Sequence, residues 1–127
     1  LTIFPIKWVL CSQESLMPHC VVEHSSTINA DDLIPLVFSG ALKSELFQAD
    51  GGDIKVRTSS FTNHQSGYSK IDFVHVTLRI LSGRNIDQKS MLSQLVLDQL
   101  KQLSLANCSL TVEVVDIDRA CYAKVVL

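Results

Sequence analysis

A methionine–proline pair precedes an alternating apolar stretch in the run Met17-Pro18-His19-Cys20-Val21-Val22-Glu23-His24. This arrangement is typical of the true beginning of a polypeptide. Removal of Met17 would leave Pro18 with a free secondary amine, and an amine whose pKa lies near the working pH can serve as a general base. In the chain as printed, the Pro18 nitrogen belongs to a peptide bond and cannot take a proton. A catalytic role for Pro18 therefore depends on where the mature chain begins.

Three cations could serve an anionic ligand. Lys55 and Arg57 alternate with Ile54 and Val56, so a strand here would place both cations on one face. Arg84 follows a predicted strand and precedes a predicted helix, which places it at a sheet edge beside the first strand. There its guanidinium could hold a carboxylate through two parallel hydrogen bonds. A cation beside an oxygen that gains negative charge lowers the energy of that charge.

Each candidate also has a purely structural interpretation. Pro18 could be an ordinary strand-edge proline, where a missing N–H is tolerated. Lys55 and Arg57 could lie on a solvated strand face, which is the usual place for charged side chains. Arg84 could be an exposed loop arginine. Residue type alone does not choose between these alternatives.

Composition bounds the class of protein. The chain has 127 residues, 46% of them hydrophobic, and a net charge of −2, with a mean hydropathy of +0.23. This size predicts one domain, and the excess of apolar residues favours a subunit interface. The near-neutral charge argues against nucleic-acid and anionic-membrane partners, and no apolar run reaches membrane-spanning length.

Cysteines and histidines do not indicate a bound metal or cofactor. The four cysteines, Cys11, Cys20, Cys108 and Cys121, form no CxxC pair, and scattered cysteines without a secretion signal fit a reducing, cytoplasmic location. The histidines lack a metal-ligand spacing, and there is no glycine-rich phosphate loop. His75 is expected to pack or hydrogen-bond on its strand, and strand alternation should direct His19 away from the face that Pro18 serves.

Residues 1–16 have a different character from the rest. They are apolar at the start, but they lack the basic leader and the small-residue cleavage site of a signal peptide. We interpret residues 1–16 as translated upstream sequence, with 17–127 as the single domain. The alternative is a genuine extension that packs on the outside.

The remaining chain predicts a strand–helix–strand unit used twice. Strands are expected over 18–23, 54–61, 73–81 and 109–116, with a possible edge strand over 122–127. Pro35 must lie in the first turn of helix one, which places the helix cap near Asp32 rather than Asn29. Asn85 is expected to cap helix two, with Gln88 as its capping-box partner.

These elements predict an α+β fold built from duplicated βαβ units. Each crossover helix joins parallel strands, so the domain should be a four-stranded mixed sheet with two helices on one face. The other face of the sheet is expected to be open and apolar, which would favour assembly.

Four stretches together resemble the tautomerase superfamily, and more closely its 5-carboxymethyl-2-hydroxymuconate delta-isomerase branch. They are the strand–Gly-Arg–helix run 75–89, Met17-Pro18-His19, Asp53-Ile54-Lys55-Val56-Arg57 and Phe73-Val74-His75-Val76. The resemblance covers Met17 to about Val115. It implies a homotrimer and a cofactor-free isomerisation of an unsaturated 2-hydroxy polycarboxylic acid to its keto isomer, a step in bacterial homoprotocatechuate catabolism.

The resemblance also implies roles for particular residues. Pro18, as an amino-terminal proline, would move a proton between the enol and a carbon of the conjugated chain. Arg84 would bind a carboxylate, and either Arg57 or Lys55 would hold the enol oxygen or a second carboxylate. The alternative is a non-catalytic, trimeric, tautomerase-like binding or structural protein in which the leader blocks Pro18.

Overall fold

The computed structural model describes residues 18–127. The predicted leader, residues 1–16, and Met17 lie outside the described residues. The elements run in the order β1 (His19–Ser25), α1 (Ala30–Lys43), β2 (Lys55–Phe61), β3 (Asp72–Leu81), α2 (Ile86–Leu100) and β4 (Cys108–Ile117), followed by a 3-10 turn over Arg119–Cys121.

The four strands form one mixed sheet in the order β2-β1-β3-β4. Strands β1 and β2 pair in parallel across α1, and β3 and β4 pair in parallel across α2. The two units join through the antiparallel pair β1–β3. The predicted fold class is therefore confirmed.

The core lies between the sheet and the two helices. Alternate residues of β3 supply fully buried side chains, and each helix supplies an apolar stripe at helical spacing. These buried residues are Val74, Val76, Leu78 and Ile80 of β3, Leu33, Val37 and Ala41 of α1, and Leu92, Val96 and Leu100 of α2. The helices approach closely at Gly40, where an added Cβ would lie 2.7 Å from the Val96 Cα atom.

The predicted cap of the first helix is wrong, whereas that of the second is confirmed. Asn29 rather than Asp32 caps α1, and its side chain accepts a hydrogen bond from the Asp31 N–H. Ile28, just before the cap, is buried in the same core as Leu33, the arrangement of a hydrophobic staple. Pro35 consequently lies inside α1, where its ring is exposed to solvent.

The second helix begins as predicted. Asn85 accepts from the Gln88 N–H, and the Gln88 side chain accepts from the Asn85 N–H. This reciprocal pair satisfies two backbone donors that a helix start would otherwise leave without partners.

The second face of the sheet is open, but the prediction that it is apolar is wrong. Strand alternation directs most of the valines and leucines to the helices, so the other face carries mainly polar and charged residues. By strand register, they include Glu23, Ser59, His75, Thr77 and Glu113.

The predicted edge strand over 122–127 is also wrong. Within the described part of the chain, the segment after β4 forms the 3-10 turn and then an irregular tail. No helix among residues 18–127 is long and apolar enough to cross a membrane.

Candidate functional site

The sheet topology brings most of the predicted site residues to one end of the molecule. Strands β1 and β2 begin there, and β3 and β4 end there, because β3 runs antiparallel to β1. His19 pairs with Lys55 on one side and with Arg79 on the other. Pro18 directly precedes β1 and is buried, and its carbonyl oxygen accepts a hydrogen bond from the Lys55 N–H at 3.2 Å.

Four cations surround His19 at this end, and we call them the cationic cluster: Lys55, Arg57, Arg79 and Lys124. Lys55 and Arg57 lie on the open face of β2, and Arg79 lies on the same face of β3. Burial, and then these four positive charges with Arg57 foremost, lowers the pKa of His19 below 6.5. The cluster therefore creates a positive potential on the open face around His19, the residue that follows Pro18, and this potential favours an anion.

His19 is hydrogen-bonded on both sides of its ring. Its Nδ1 atom lies 3.3 Å from Arg57 Nη1, and its Nε2 atom lies 2.8 Å from the Tyr122 hydroxyl. The Tyr122 ring packs edge-on against the imidazole, with centroids 6.0 Å apart. His19 projects to the open face, as strand alternation predicts, and there it joins Arg57 to the carboxyl-terminal segment.

Arg84 occupies a different environment. Its Nη2 atom donates to the Leu46 carbonyl at 2.6 Å, and its guanidinium carbon lies 5.8 Å from the centre of the Phe47 ring. Burial, and then the neighbouring Arg119, lowers the pKa of Arg84, while the Asp53 carboxylate opposes that shift. Arg84 is therefore held against the segment that follows α1, whereas Lys55 and Arg57 lie together beside β1.

The segment that holds Arg84 is itself fixed by Asp53. This carboxylate is 2% exposed, and its two oxygens accept from the Gln48 N–H at 3.1 and 3.2 Å. A charge-assisted bond to a backbone N–H is stronger than a neutral one. Asp53 thus orders the turn that presents the Leu46 carbonyl to Arg84.

A second arginine lies beside the Gly83-Arg84 turn. Arg119 Nε donates to the Ser82 carbonyl at 2.6 Å. Gly83 has a φ of 127°, a conformation open to glycine but strained for other residues. A Cβ atom there would lie 3.7 Å from Arg119 Nη2.

Sequence reasoning missed several residues at this end. Arg79 could have been found, because it shares strand parity with His75 on a strand whose alternation is clear. Tyr122 is 103 residues from its partner His19, so no local pattern links the two. Arg119 and Lys124 likewise lie in a segment without periodicity.

Two other candidate groups are accounted for by the fold. Burial raises the pKa of the Cys20 thiol to about 12, so Cys20 is a core residue and not a nucleophile. His75 of β3 is hydrogen-bonded, as predicted. Its partners are Thr111 at 2.7 Å and Glu113 at 2.6 Å, both on the neighbouring strand β4. Among residues 18–127, no group of three His, Cys, Asp or Glu side chains could hold a metal ion.

This arrangement is suited to binding an anion at the end of the sheet where β1 begins. Guanidinium groups bind carboxylates with two directed hydrogen bonds, whereas lysine acts as a point charge. A ligand with several carboxylates could contact the cationic cluster at more than one point.

Comparison with known proteins supports the fold. No protein-family model and no curated protein matches the sequence. Among solved structures, a 5-carboxymethyl-2-hydroxymuconate delta-isomerase superposes with a TM-score of 0.71 at 14% identity, over 86% of this chain and 88% of that one. A 5-carboxymethyl-2-hydroxymuconate isomerase from Deinococcus radiodurans R1 gives a TM-score of 0.62 at 21% identity, over 85% and 88%.

A third solved structure shares the architecture. It is a fused wild-type 4-OT symmetric trimer, with a TM-score of 0.67 at 12% identity, over 80% of this chain and 87% of that one. At these identities the similarity establishes the fold. The duplicated strand–helix–strand architecture and these structural matches together show that the chain has a tautomerase-like fold.

Proposed function

We propose that this protein is a cofactor-free isomerase that converts an unsaturated 2-hydroxy polycarboxylic acid to its keto isomer, with Pro18 as the base. One observation carries the proposal: Pro18 is buried immediately before β1, and the next residue, His19, lies within the cationic cluster. The sequence resemblance and the fold of the matched isomerases support it.

The proposed base is the secondary amine of an amino-terminal Pro18. Burial and nearby positive charge both disfavour the protonated form of an amine, so they lower its pKa toward neutrality. The amine takes the proton from the enol hydroxyl, and the electrons of that O–H bond form the ketone C=O. The π electrons shift along the chain, and the ammonium then delivers a proton to carbon. No group is lost, and the amine is regenerated.

The cations stabilise charge on the substrate. Arg57 and Lys55 are the proposed partners of the enol oxygen or of a carboxylate next to it, because both lie on the open face beside β1. Arg84 is the proposed partner of a further carboxylate. Its bond to Leu46 uses one of five N–H donors, so others can bind an anion.

The proposed substrate is 5-carboxymethyl-2-hydroxymuconate. Several carboxylates match several cations at one end of the sheet, and two matched structures carry this substrate in their names. We also propose a homotrimer in the cytoplasm. The trimer is supported by the matched 4-OT assembly.

The deciding experiment determines the native amino terminus and then measures turnover. Two proteins are compared, one starting with Pro18 and one with all 127 residues, using the absorbance change on ketonisation. Activity is expected only where Pro18 is first, and Pro18→Ala should lower kcat by about a hundredfold or more, the scale of a lost general base.

Two results would contradict the proposal. If the Pro18-first protein binds the substrate without turning it over, the molecule is a binding protein with an isomerase-like fold. If Pro18→Ala retains full activity, Pro18 is not the base.

A further inference from the structure

The carboxyl-terminal segment brings a hydroxyl to the cationic cluster. The 3-10 turn Arg119–Cys121 is capped by the Asp118 side chain, which accepts from the Ala120 N–H at 2.9 Å. This turn places the next residue, Tyr122, against His19, with its hydroxyl 2.8 Å from Nε2. Tyr122 is half-buried, and the hydrogen bond to His19 positions its hydroxyl.

The other bond of His19 determines the direction of this hydrogen bond. The Arg57 guanidinium has only donors, so at the 3.3 Å contact His19 Nδ1 must accept. A neutral imidazole with an accepting Nδ1 carries its proton on Nε2. Nε2–H therefore donates to the Tyr122 oxygen, and the proton of Tyr122 is not used by His19.

The surroundings keep His19 in that neutral form. Arg57 and Lys55 on β2, Arg79 on β3 and Lys124 in the carboxyl-terminal segment all act on the ring with positive charge. Together with burial, they lower the pKa of His19. A protonated His19 could not accept from Arg57 and would be repelled by all four cations.

We propose that Tyr122 is a substrate hydrogen-bond donor whose hydroxyl, positioned by His19, binds an anionic oxygen of the substrate alongside Arg57. This inference rests on the proposed function and deepens it. A hydroxyl that already accepts a hydrogen bond becomes a better donor to a third group. It also has a defined direction, whereas the Lys55 ammonium acts as a point charge.

Tyr122→Phe, made in the protein that starts with Pro18, tests the proposal, because it removes the hydroxyl and keeps the ring. We expect kcat/KM to fall about tenfold to a hundredfold, the range for a lost hydrogen bond to a charged group. Tyr68→Phe is the matched control, since Tyr68 is fully exposed in the β2–β3 loop. Its kcat/KM should equal that of the wild type. Full activity in Tyr122→Phe would overturn the proposal.

A binding measurement separates this proposal from the proposed function. Calorimetry with tricarballylate, a small tricarboxylate that the enzyme cannot isomerise, should show weaker binding to Tyr122→Phe than to the wild type and Tyr68→Phe. Equal affinity in all three would overturn the Tyr122 proposal. Wild-type protein that binds tricarballylate but does not isomerise substrate would instead contradict the isomerase function alone.

The tautomer of His19 supplies a test in the unmodified protein. In the 15N-labelled full chain, NMR should show a pyridine-type Nδ1 and a pyrrole-type Nε2 for His19. The opposite tautomer would overturn the proposal, because Tyr122 would then have to donate to His19. His19→Gln, whose amide can both accept and donate, should retain more activity than His19→Ala if His19 acts by positioning Tyr122.

Discussion

The Lys55 N–H donates to the carbonyl oxygen of Pro18 at 3.2 Å, one residue before β1 begins. This bond extends the parallel β1–β2 ladder to the proposed base. The position of Pro18 relative to the open-face cations is therefore set by the sheet and not by a mobile loop.

Replacing Arg57 should change the titration of His19. Arg57 is the strongest of the four cations that lower the pKa of His19, so Arg57→Ala should raise that pKa. NMR titration of the ring measures the change. Arg79→Ala is the matched control and should raise the pKa less, since its influence on His19 is smaller.

If Arg57→Ala leaves the His19 titration unchanged, the contact between the two side chains does not persist in solution. Tyr122 would then lose the basis for its assigned hydrogen-bond direction.

Stability should depend on pH through His19. Its pKa is below 6.5 in the folded protein and near 6.5 in the unfolded chain. The unfolded state thus binds the proton more readily, and the free energy of unfolding should fall as the pH drops from about 6.5 toward the lower folded pKa. Urea unfolding at several pH values measures this slope.

His19→Gln is the control for that slope, because glutamine does not titrate. It should remove the His19 contribution between the two pKa values. A slope identical to that of the wild type would assign the pH dependence to other groups.

Arg84→Lys should weaken substrate binding despite keeping the charge. Lysine cannot reproduce the planar donor set of arginine, and it would lose the 2.6 Å bond to Leu46 and the contact with Phe47. We expect KM for a carboxylated substrate to rise about tenfold, the scale of one charge-assisted hydrogen bond. Steady-state kinetics measures this rise, and an unchanged KM would assign Arg84 to the fold alone.

Gly40→Ala should destabilise the domain. The added methyl group would lie 2.7 Å from the Val96 Cα atom, which is backbone and cannot rotate away. We expect a loss of about 1–3 kcal/mol, the usual cost of overpacking. Ser39→Ala at the preceding position of α1 is the control. Thermal unfolding should show a lower Tm for Gly40→Ala only.

Local signals explain what the sequence predicted well. The capping box at Asn85 and Gln88 needs only residues three positions apart, and the buried side of β3 follows from simple alternation. The first helix was harder, because Pro35 favoured a late start, whereas the Asn29 cap and buried Ile28 stabilise an earlier one.

Contacts between residues far apart in the sequence explain what the sequence analysis did not predict. The polar open face depends on which side of each strand the helices cover, and this is known only once the strands are paired. The contact of Tyr122 with His19 joins residues that are far apart in the sequence, and Tyr122 belongs to an irregular segment. The family resemblance predicts that Pro18, Lys55 and Arg57 belong to one site. The parallel register of β1 with β2 brings the start of β2, which carries Lys55 and Arg57, beside the start of β1, which follows Pro18.

The three thiols of the described domain differ greatly in accessibility. Cys20 is sealed in the core with a pKa of about 12, burial and Asp72 raise the pKa of Cys108, and Cys121 is exposed. In a protein that starts at Pro18, a maleimide dye would consequently label Cys121 first. Because Cys121 adjoins Tyr122, the dye would serve as an optical reporter of ligand arrival.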